Sequence, residues 1–203
     1  MNWEDECYLL SKRKFRENAN IVNVFSKHKG KVSGIVYGGN SRKVRNYLQI
    51  SNKIFVVHNS KNEDKIGYFK TELIKAISPN YFDDKKRTAA LISICSLLNS
   101  LLPESQPNKN IYNSFEKFMQ SIDTDNWIAL YIFFEISLIK ELGFDPNLNI
   151  FKKEILNSQD ISNLSIDGYN YQIPNFLILR TAPRDLTGFL IKKALTFTRN
   201  IFL

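Results

Sequence analysis

Residues 21–37 read IVNVFSKHKGKVSGIVY, and this stretch decides the fold of the first part of the chain. Two runs of β-branched and aromatic residues, at 21–25 and 32–37, lie on either side of a polar turn. Short runs of this composition separated by turn residues are typical of antiparallel strands. The stretch therefore predicts two neighbouring strands joined by a basic turn.

Three more β-rich runs surround this pair, at residues 7–10, 54–58 and 66–69. Five short strands at regular spacing indicate a small antiparallel barrel or sandwich, in which closure protects the strand edges. Residues 38–46 then form a long connection between the third and fourth strands. We expect a basic loop here, because the connection carries Arg42, Lys43 and Arg45.

After Pro79 the apolar residues recur every three or four positions, which predicts helices. The first begins at Asp83 or Asp84 as N-cap and stops at Pro103, and the second covers about 111–122. Residues 123–125 end the second helix and supply the cap of a third, buried one at 126–142, which Gly143 terminates. Residues 147–175 are polar and are expected to be irregular, before a last helix at about 184–199.

The charge distribution also changes near residue 78, just before the helical pattern begins. Its 203 residues include 28 Lys and Arg against 20 Asp and Glu, a net charge of +8. Up to Ser78 there are fifteen basic and seven acidic residues, so the whole excess belongs to the first segment. We therefore predict two domains, at residues 1–78 and 79–203. A basic excess of this size favours polyanionic partners.

Several classes of site and location are excluded by composition. The two cysteines, Cys7 and Cys95, cannot build a disulfide framework or a cysteine zinc site. His28 and His58 have no acidic or cysteine neighbour at ligand spacing, and no glycine-rich phosphate-binding motif is present. No apolar run reaches the roughly 18 residues of a membrane span. We expect a cytoplasmic protein with no enzymatic activity, metal or cofactor.

A basic cluster interleaved with aromatic residues remains as the candidate site. Basic side chains neutralise phosphates, and aromatic faces stack on unpaired bases. The aromatic residues of the cluster are Phe15, Phe25, Tyr37 and Tyr47. Phe25 is expected in the core, whereas Phe15 suits the core and base stacking about equally. The predicted nucleic-acid-binding residues are Lys12, Arg13, Lys14, Arg16, Lys29, Lys31, Arg42, Lys43 and Arg45.

An ordered set of short motifs resembles the bacterial RecO family of DNA repair proteins. The run LSKR at 10–13, the stretches at 21–26 and 28–34, and Leu48 with Gln49 resemble its N-terminal barrel. Phe134 with Glu135 and the segment ELGFDPNL at 141–148 resemble its helical domain. The resemblance implies an α+β fold with an N-terminal OB-fold β-barrel followed by an all-α helical domain. It also implies binding of single- and double-stranded DNA, annealing of complementary strands, and partnership with RecR and the single-stranded DNA-binding protein.

The chain departs from the family pattern at four places. Family members usually carry Lys-Gly-Ala-Arg where this chain has YGGN at 37–40, so the basic charge moves to the residues that follow. The cysteines that bind zinc in some members are missing after residue 148, so no zinc is expected. The chain also ends soon after its last helix, as a shortened member would.

The fourth departure concerns the helical domain. Relatives often have arginine immediately before Phe-Glu, where this chain has Phe133. In the family that arginine helps to bind the acidic C-terminal tail of the single-stranded DNA-binding protein. Candidate replacements are Lys140, Arg180 and Lys193, of which Lys140 is preferred because its helix is the most apolar.

The leading functional interpretation is a non-enzymatic mediator of DNA repair and homologous recombination, which helps its partners to load a recombinase. An OB-fold RNA-binding module in translation or RNA processing would satisfy the charge pattern equally well. A nuclease using Asp123 and Asp125 is a third interpretation, disfavoured by the lack of further clustered acids.

Overall fold

The structure, a computed structural model, describes residues 2–60, 66–153, 155, 160–166 and 168–201. Lys61 and Lys65, which were counted in the basic segment, lie outside these residues. The chain divides into two compact units, Met1–Tyr112 and Asn113–Leu203. The first contains 19 basic and 10 acidic residues and the second 9 and 10, so the basic excess lies in the first unit. The predicted domain boundary at residue 78 falls earlier and stays a prediction.

A closed five-stranded barrel forms the first part of the first unit, as the hydrophobic pattern predicts. The strands follow the order β1-β2-β3-β5-β4, and β1 pairs with both β2 and β4. All neighbours are antiparallel except β3 and β5, which are parallel. The strands are β1 (Trp3–Phe15), β2 (Ala19–Ser26), β3 (Gly30–Tyr37), β4 (Lys53–Asn59) and β5 (Gly67–Lys75).

Alternation along the strands builds the core of the barrel. Val22 and Val24 of β2 are fully buried, whereas Ile21 and Asn23, which alternate with them, are only partly buried. Gly34 of β3 leaves room for a neighbouring aromatic ring, because a Cβ there would lie 2.5 Å from the ring of Phe69. Every second residue of a strand thus points into the core, and the residues between them face outward, where they can contact a ligand.

The connection after β3 is partly helical, so the expectation of a loop at 38–46 was wrong. Ser41 is the N-cap of helix α1 (Arg42–Tyr47), and its hydroxyl accepts from the backbone N–H of Val44 at 3.4 Å. Val44 and Tyr47 pack against the barrel core. The Tyr47 hydroxyl donates to the backbone oxygen of Thr71 at 2.7 Å. These contacts hold a polar six-residue segment as a helix, which is too short for periodicity to reveal.

Helix α2 (Lys85–Leu101) packs on the barrel and starts where the sequence predicts. The Asp84 carboxylate accepts from the backbone N–H groups of Lys86 and Arg87, each at 3.0 Å. Helix α3 (Lys109–Ser121) follows and contains the division between the two units. Among the described residues, no helix is long and apolar enough to cross a membrane.

The second unit is built around a buried helix, α4 (Trp127–Glu141). Gly143 ends it at φ +93°: its N–H donates to the oxygen of Lys140, and that of Phe144 to the oxygen of Ile139. The predicted cap from residues 123–125 was wrong, because Asn126 occupies the cap position without a side-chain capping hydrogen bond.

Residues 147–175 were expected to be irregular but contain a β-hairpin. The predicted helical domain at 79–203 is therefore not purely helical. A β-hairpin lies between the helices of the second unit, with polar residues at many of its positions, so its alternation of apolar residues is weak. Its elements and the helices that follow are β6 (Ile161–Ile166), β7 (Tyr169–Pro174), α5 (Asn175–Leu179) and α6 (Gly188–Ile201).

Candidate nucleic-acid interface and partner cleft

The basic run KRKFR at residues 12–16, at the end of β1, is divided between two faces of the barrel. Lys12 pairs with Val22, a core residue, so it lies in an inward row. Arg13 pairs with Ile21 and belongs to the outer face. Because successive strand residues alternate, Lys14 shares the inward row of Lys12. The five-residue run therefore does not form one continuous basic surface.

The inward row meets α1 at one end of the barrel. Lys12 Nζ donates to the backbone oxygen of Leu48 at 2.7 Å. Burial, and secondarily the charge of Arg45, lowers the pKa of Lys12. Asn20, opposite Lys14, donates to the side chain of Asn40 just before α1 at 3.3 Å. We call this surface the basic end; its members are Lys12, Lys14, Arg42, Lys43 and Arg45.

The members of the basic end differ in their exposure and hence in their availability to a ligand. Lys14 and all three basic residues of α1 are exposed, whereas Lys12 is half-buried and holds the barrel to the segment after α1. Helix α1 thus presents its cations from a fixed backbone. The basic end combines exposed cations from a strand and a helix that are separate in the chain, the arrangement expected of a phosphate-binding surface.

The outer face beside the basic end carries exposed aromatic residues. Tyr37 is 62% exposed and Tyr68 is 40% exposed, and their ring centroids are 6.5 Å apart. The guanidinium of Arg16 lies 5.1 Å from the ring centroid of Phe15, which pairs with Ala19 in the same row as Tyr37. Tyr68 was not among the aromatic residues predicted from the sequence. Its place next to Phe69 in a strand could have revealed it, because alternation turns Tyr68 outward when Phe69 is buried.

The other half of the outer face is covered. The ring of Phe25 lies 5.3 Å from that of Tyr112 in α3, and Tyr8 lies 6.1 Å from the same ring. Phe25 is fully buried, which confirms its predicted place in the core. Tyr47 is also engaged internally, through its hydroxyl. Of the four aromatic residues predicted to alternate with the basic ones, Tyr37 is the most exposed.

Lys29 and Lys31 lie at the opposite end of the barrel. They flank Gly30, which pairs with Ser26, the last residue of β2, whereas the basic end adjoins its first residues. Seven residues of strand separate the two ends, about 23 Å at roughly 3.3 Å per residue. Lys31 Nζ donates to the backbone oxygen of Asn99 at 2.9 Å. The predicted binding residues therefore fall into three groups rather than one: the basic end, Arg13 and Arg16 at the outer face, and Lys29 with Lys31 at the opposite end.

The turn beside Lys29 contains an acidic partner that the sequence did not reveal. His28 Nδ1 lies 3.1 Å from Asp5 Oδ2, and the Ser26 hydroxyl donates to the same oxygen. This partner is distant in the sequence and not at ligand spacing; β1 brings Asp5 to the turn. Burial alone would raise the pKa of Asp5, but hydrogen bonds from Ser26, His28 and the N–H of Glu6 hold it below its usual value.

Two of the three predicted partner-binding residues lie together in the second unit. Lys140 and Arg180 line a cleft of about 190 Å³. Its apolar wall includes Phe133, Ile136 and Leu177. Lys140 Nζ pairs with Asp145 Oδ2 at 3.2 Å. We call this feature the α4–α5 cleft; its other lining residues are Ser114, Ser137 and Glu141.

Lys193 lies apart from the residues that line this cleft. Its Nζ donates to Gln172 Oε1 at 2.5 Å and lies 5.7 Å from the ring centroid of Phe189. Lys193 therefore connects α6 to the β-hairpin. Among the described residues, no group of three or more His, Cys, Asp or Glu residues could hold a metal ion.

The strand order and closure of the barrel place the first unit in the OB-like class, followed by a helical region. The family models described as "Recombination protein O N terminal" and "Recombination protein O C terminal" match residues 1–77 and 83–150. The chain therefore belongs to the RecO family of DNA repair proteins.

Individual relatives agree with this assignment. DNA repair protein RecO of Cereibacter sphaeroides (strain ATCC 17025 / ATH 2.4.3) is 32% identical over 148 residues, which cover 73% of this chain and 62% of the relative. The protein of the same name from Wolbachia sp. subsp. Drosophila simulans (strain wRi) is 30% identical over 151 residues, with the same coverage. That of Rhodospirillum centenum (strain ATCC 51521 / SW) is 29% identical, covering 71% of this chain and 58% of the relative. The matches thus span about three fifths of these relatives.

Proposed function

We propose that this protein is a recombination mediator that binds single- and double-stranded DNA and anneals complementary strands without making or breaking a covalent bond. The proposal rests on the basic end of the OB-like barrel, where four exposed cations from β1 and α1 share one surface. Family membership supports DNA as the ligand. Binding to chromosomal DNA would associate the protein with the nucleoid.

The physical basis of annealing is charge neutralisation. Two complementary strands repel each other through their phosphates, and cations that neutralise these charges lower that repulsion. Phosphate contacts carry no base code, so the bases stay available to pair. The basic end needs neither a nucleotide triphosphate nor a metal ion for this role.

An annealing assay tests the proposal. The protein should accelerate pairing of complementary DNA oligonucleotides in the presence of chelator and without nucleotide triphosphate. The triple variant Arg42→Ala, Lys43→Ala and Arg45→Ala should lose most of this acceleration at unchanged thermal midpoint, because these side chains are exposed. Fluorescence quenching between labelled strands measures the rate.

A matched control removes the same charge from the second unit. Lys152, Lys153 and Arg199 are exposed there, and their replacement by alanine should leave annealing nearly unchanged. Equal loss in both triple variants would show a non-specific effect of net charge. Failure of the wild type to anneal DNA, with tight binding to structured RNA, would instead favour an RNA-binding module.

We further propose that RecR and the single-stranded DNA-binding protein are partners, and that the α4–α5 cleft receives the acidic tail of the latter. A hydrophobic tail with a free carboxylate needs an apolar groove bordered by a cation, since an unpaired carboxylate would lose its hydration without compensation. The apolar wall and the two cations of the cleft meet both requirements.

The two cations of the cleft are not equivalent. Lys140 already pairs with Asp145 at 3.2 Å. Burial would raise the pKa of Asp145, but the N–H of Asn147, the ammonium of Lys140 and, least of the three, the charge of Arg180 keep it below its usual value, so this acid stays ionised at neutral pH. An incoming carboxylate must compete with it for Lys140. Arg180, exposed at the end of α5, can bind the carboxylate through two parallel hydrogen bonds.

Titration of the tail peptide tests this assignment. Lys140→Ala and Arg180→Asn should each weaken binding, and asparagine suits the left-handed backbone of Arg180 at φ +56°. Lys193→Ala, outside the lining of the cleft, is the control and should bind normally. Normal binding by both cleft variants would refute the assignment, and no binding by the wild type would show that this chain lacks the tail contact.

A further inference from the structure

The exposed tyrosines of the outer face have no role in phosphate neutralisation. Tyr37 is the last residue of β3 and Tyr68 the second residue of β5, the two parallel neighbours of the barrel. Both are large aromatic side chains with 62% and 40% of their surface exposed. Burying either ring in the core is prevented by alternation, because Val36 and Phe69, the adjacent residues, occupy it. Neighbouring exposed rings of this kind are available to stack on the bases of a ligand.

Arginines lie in or next to the same rows of this face as the tyrosine pair, two to three strands away. Arg13 pairs with Ile21, which pairs with Ile35, and Ile35 is the partner of Tyr68. The next row runs from Phe15 through Ala19 to Tyr37. Arg16, exposed over Phe15, follows directly in the chain. A strand whose phosphates contact these arginines would bring its bases over the tyrosine rings.

Hydrogen-bonding groups farther along the same face are occupied. Asn23 accepts from the Ser33 hydroxyl at 2.8 Å and donates to Asn99 Oδ1 at 2.6 Å. The Ser33 hydroxyl also lies 2.7 Å from Glu104 Oε1. These side chains satisfy one another, which leaves little capacity to read base edges. Recognition on this face would therefore depend on the planar rings, which accept any base.

We propose that Tyr37 and Tyr68 form a stacking platform for unpaired bases of single-stranded DNA, beside the phosphate-binding basic end. The proposal rests on the proposed DNA-binding function and adds a second mode of contact to it. Bases in a duplex are already stacked and paired, so the platform distinguishes a single strand from a duplex. It holds bases without regard to sequence.

Three DNA probes of equal length separate stacking from charge. They are an oligo(dT) strand, a strand with the same phosphates but abasic sites in place of bases, and a duplex. The wild-type protein should bind oligo(dT) more tightly than the abasic strand. The double variant Tyr37→Leu and Tyr68→Leu should bind oligo(dT) about tenfold more weakly. Its affinity for the abasic strand and the duplex should stay within about twofold of wild type.

Two further variants control for the ring and for exposure. Replacing both tyrosines by phenylalanine should retain affinity, because the ring stacks and the hydroxyl does not. Tyr169→Leu changes a 70% exposed tyrosine of the second unit and should have no effect. The thermal midpoint should match wild type in each variant, since these side chains are exposed.

Salt dependence gives an independent readout. Stacking variants should lower affinity at every salt concentration without changing the slope of log affinity against log salt, because no counterion is released by a ring. Equal binding of oligo(dT) and the abasic strand by the wild type would refute the platform while leaving DNA binding intact. Binding to none of the probes would refute the proposed function itself. A changed salt slope in the tyrosine variant would also overturn the stacking assignment.

Discussion

At the scale of single residues, Asp5 of β1 holds the turn that contains Lys29 through hydrogen bonds to Ser26 and His28. It accepts from the Ser26 hydroxyl and from the backbone N–H of Glu6, and it pairs with His28. Its side chain is only 14% exposed. Tertiary contacts therefore give this carboxylate a structural role, and its hydrogen bonds favour the ionised form.

The variant Asp5→Asn should lower the free energy of unfolding at pH 7 by about 1.5–3 kcal/mol, because hydrogen bonds to a charged acceptor are lost. The pKa of Asp5 is lower in the folded chain than in the unfolded one. Its contribution is therefore fully present above about pH 4 and declines as pH falls through the folded-state pKa.

Urea unfolding of the wild type and Asp5→Asn across pH 2–7 measures both effects. Glu4→Gln, at an exposed position on the same strand, is the control and should match the wild type. The stability difference between the wild type and Asp5→Asn should shrink toward low pH. A difference independent of pH would show that the charge of Asp5 contributes nothing.

At the scale of elements, short-range patterns account for most strands and helices. The alternation of Val22 and Val24 and the glycine stop at Gly143 are both readable from neighbouring residues. Helix α1 is different, since its two core contacts, Val44 and Tyr47, depend on a barrel assembled from distant strands. The hairpin β6–β7 escapes prediction because polar residues interrupt its alternation.

Gly143 provides a test of how α4 is terminated. Gly143→Ala should lower the free energy of unfolding by about 1–2 kcal/mol, because alanine is strained at φ +93°. The effect is purely one of backbone conformation, since a Cβ there meets no atom within 4 Å among the described residues. Thermal or urea unfolding measures the loss.

Gly188→Ala is the matched control for Gly143→Ala. Gly188 starts α6, has no neighbour within 4 Å of an added Cβ among the described residues, and lacks a positive φ. Alanine favours the helix and restricts the unfolded chain, so this variant should be neutral or up to about 1 kcal/mol more stable. Equal losses in both variants would contradict a conformational cause.

At the scale of the whole molecule, the two compact units differ in charge, and the basic excess lies in the first. If the basic end neutralises about five phosphates of a single strand, log affinity should fall against log salt with a slope of roughly −3.5. Replacing Arg42, Lys43 and Arg45 with alanine should make this slope shallower and weaken binding to unrelated sequences equally. Fluorescence anisotropy at several salt concentrations measures it, and a slope near zero would rule out phosphate neutralisation.

The sequence by itself determined the five strands, the principal helices and the segment that holds the basic excess, because these depend on residues close together in the chain. Tertiary structure alone decided which side chains meet. Strand pairing decided that Lys12 lies in the inward row and Arg13 on the outer face, placed Tyr37 beside Tyr68 and brought Asp5 to His28. Local patterns encode periodicity and turns, whereas these contacts depend on register and closure between distant strands, which no short stretch contains.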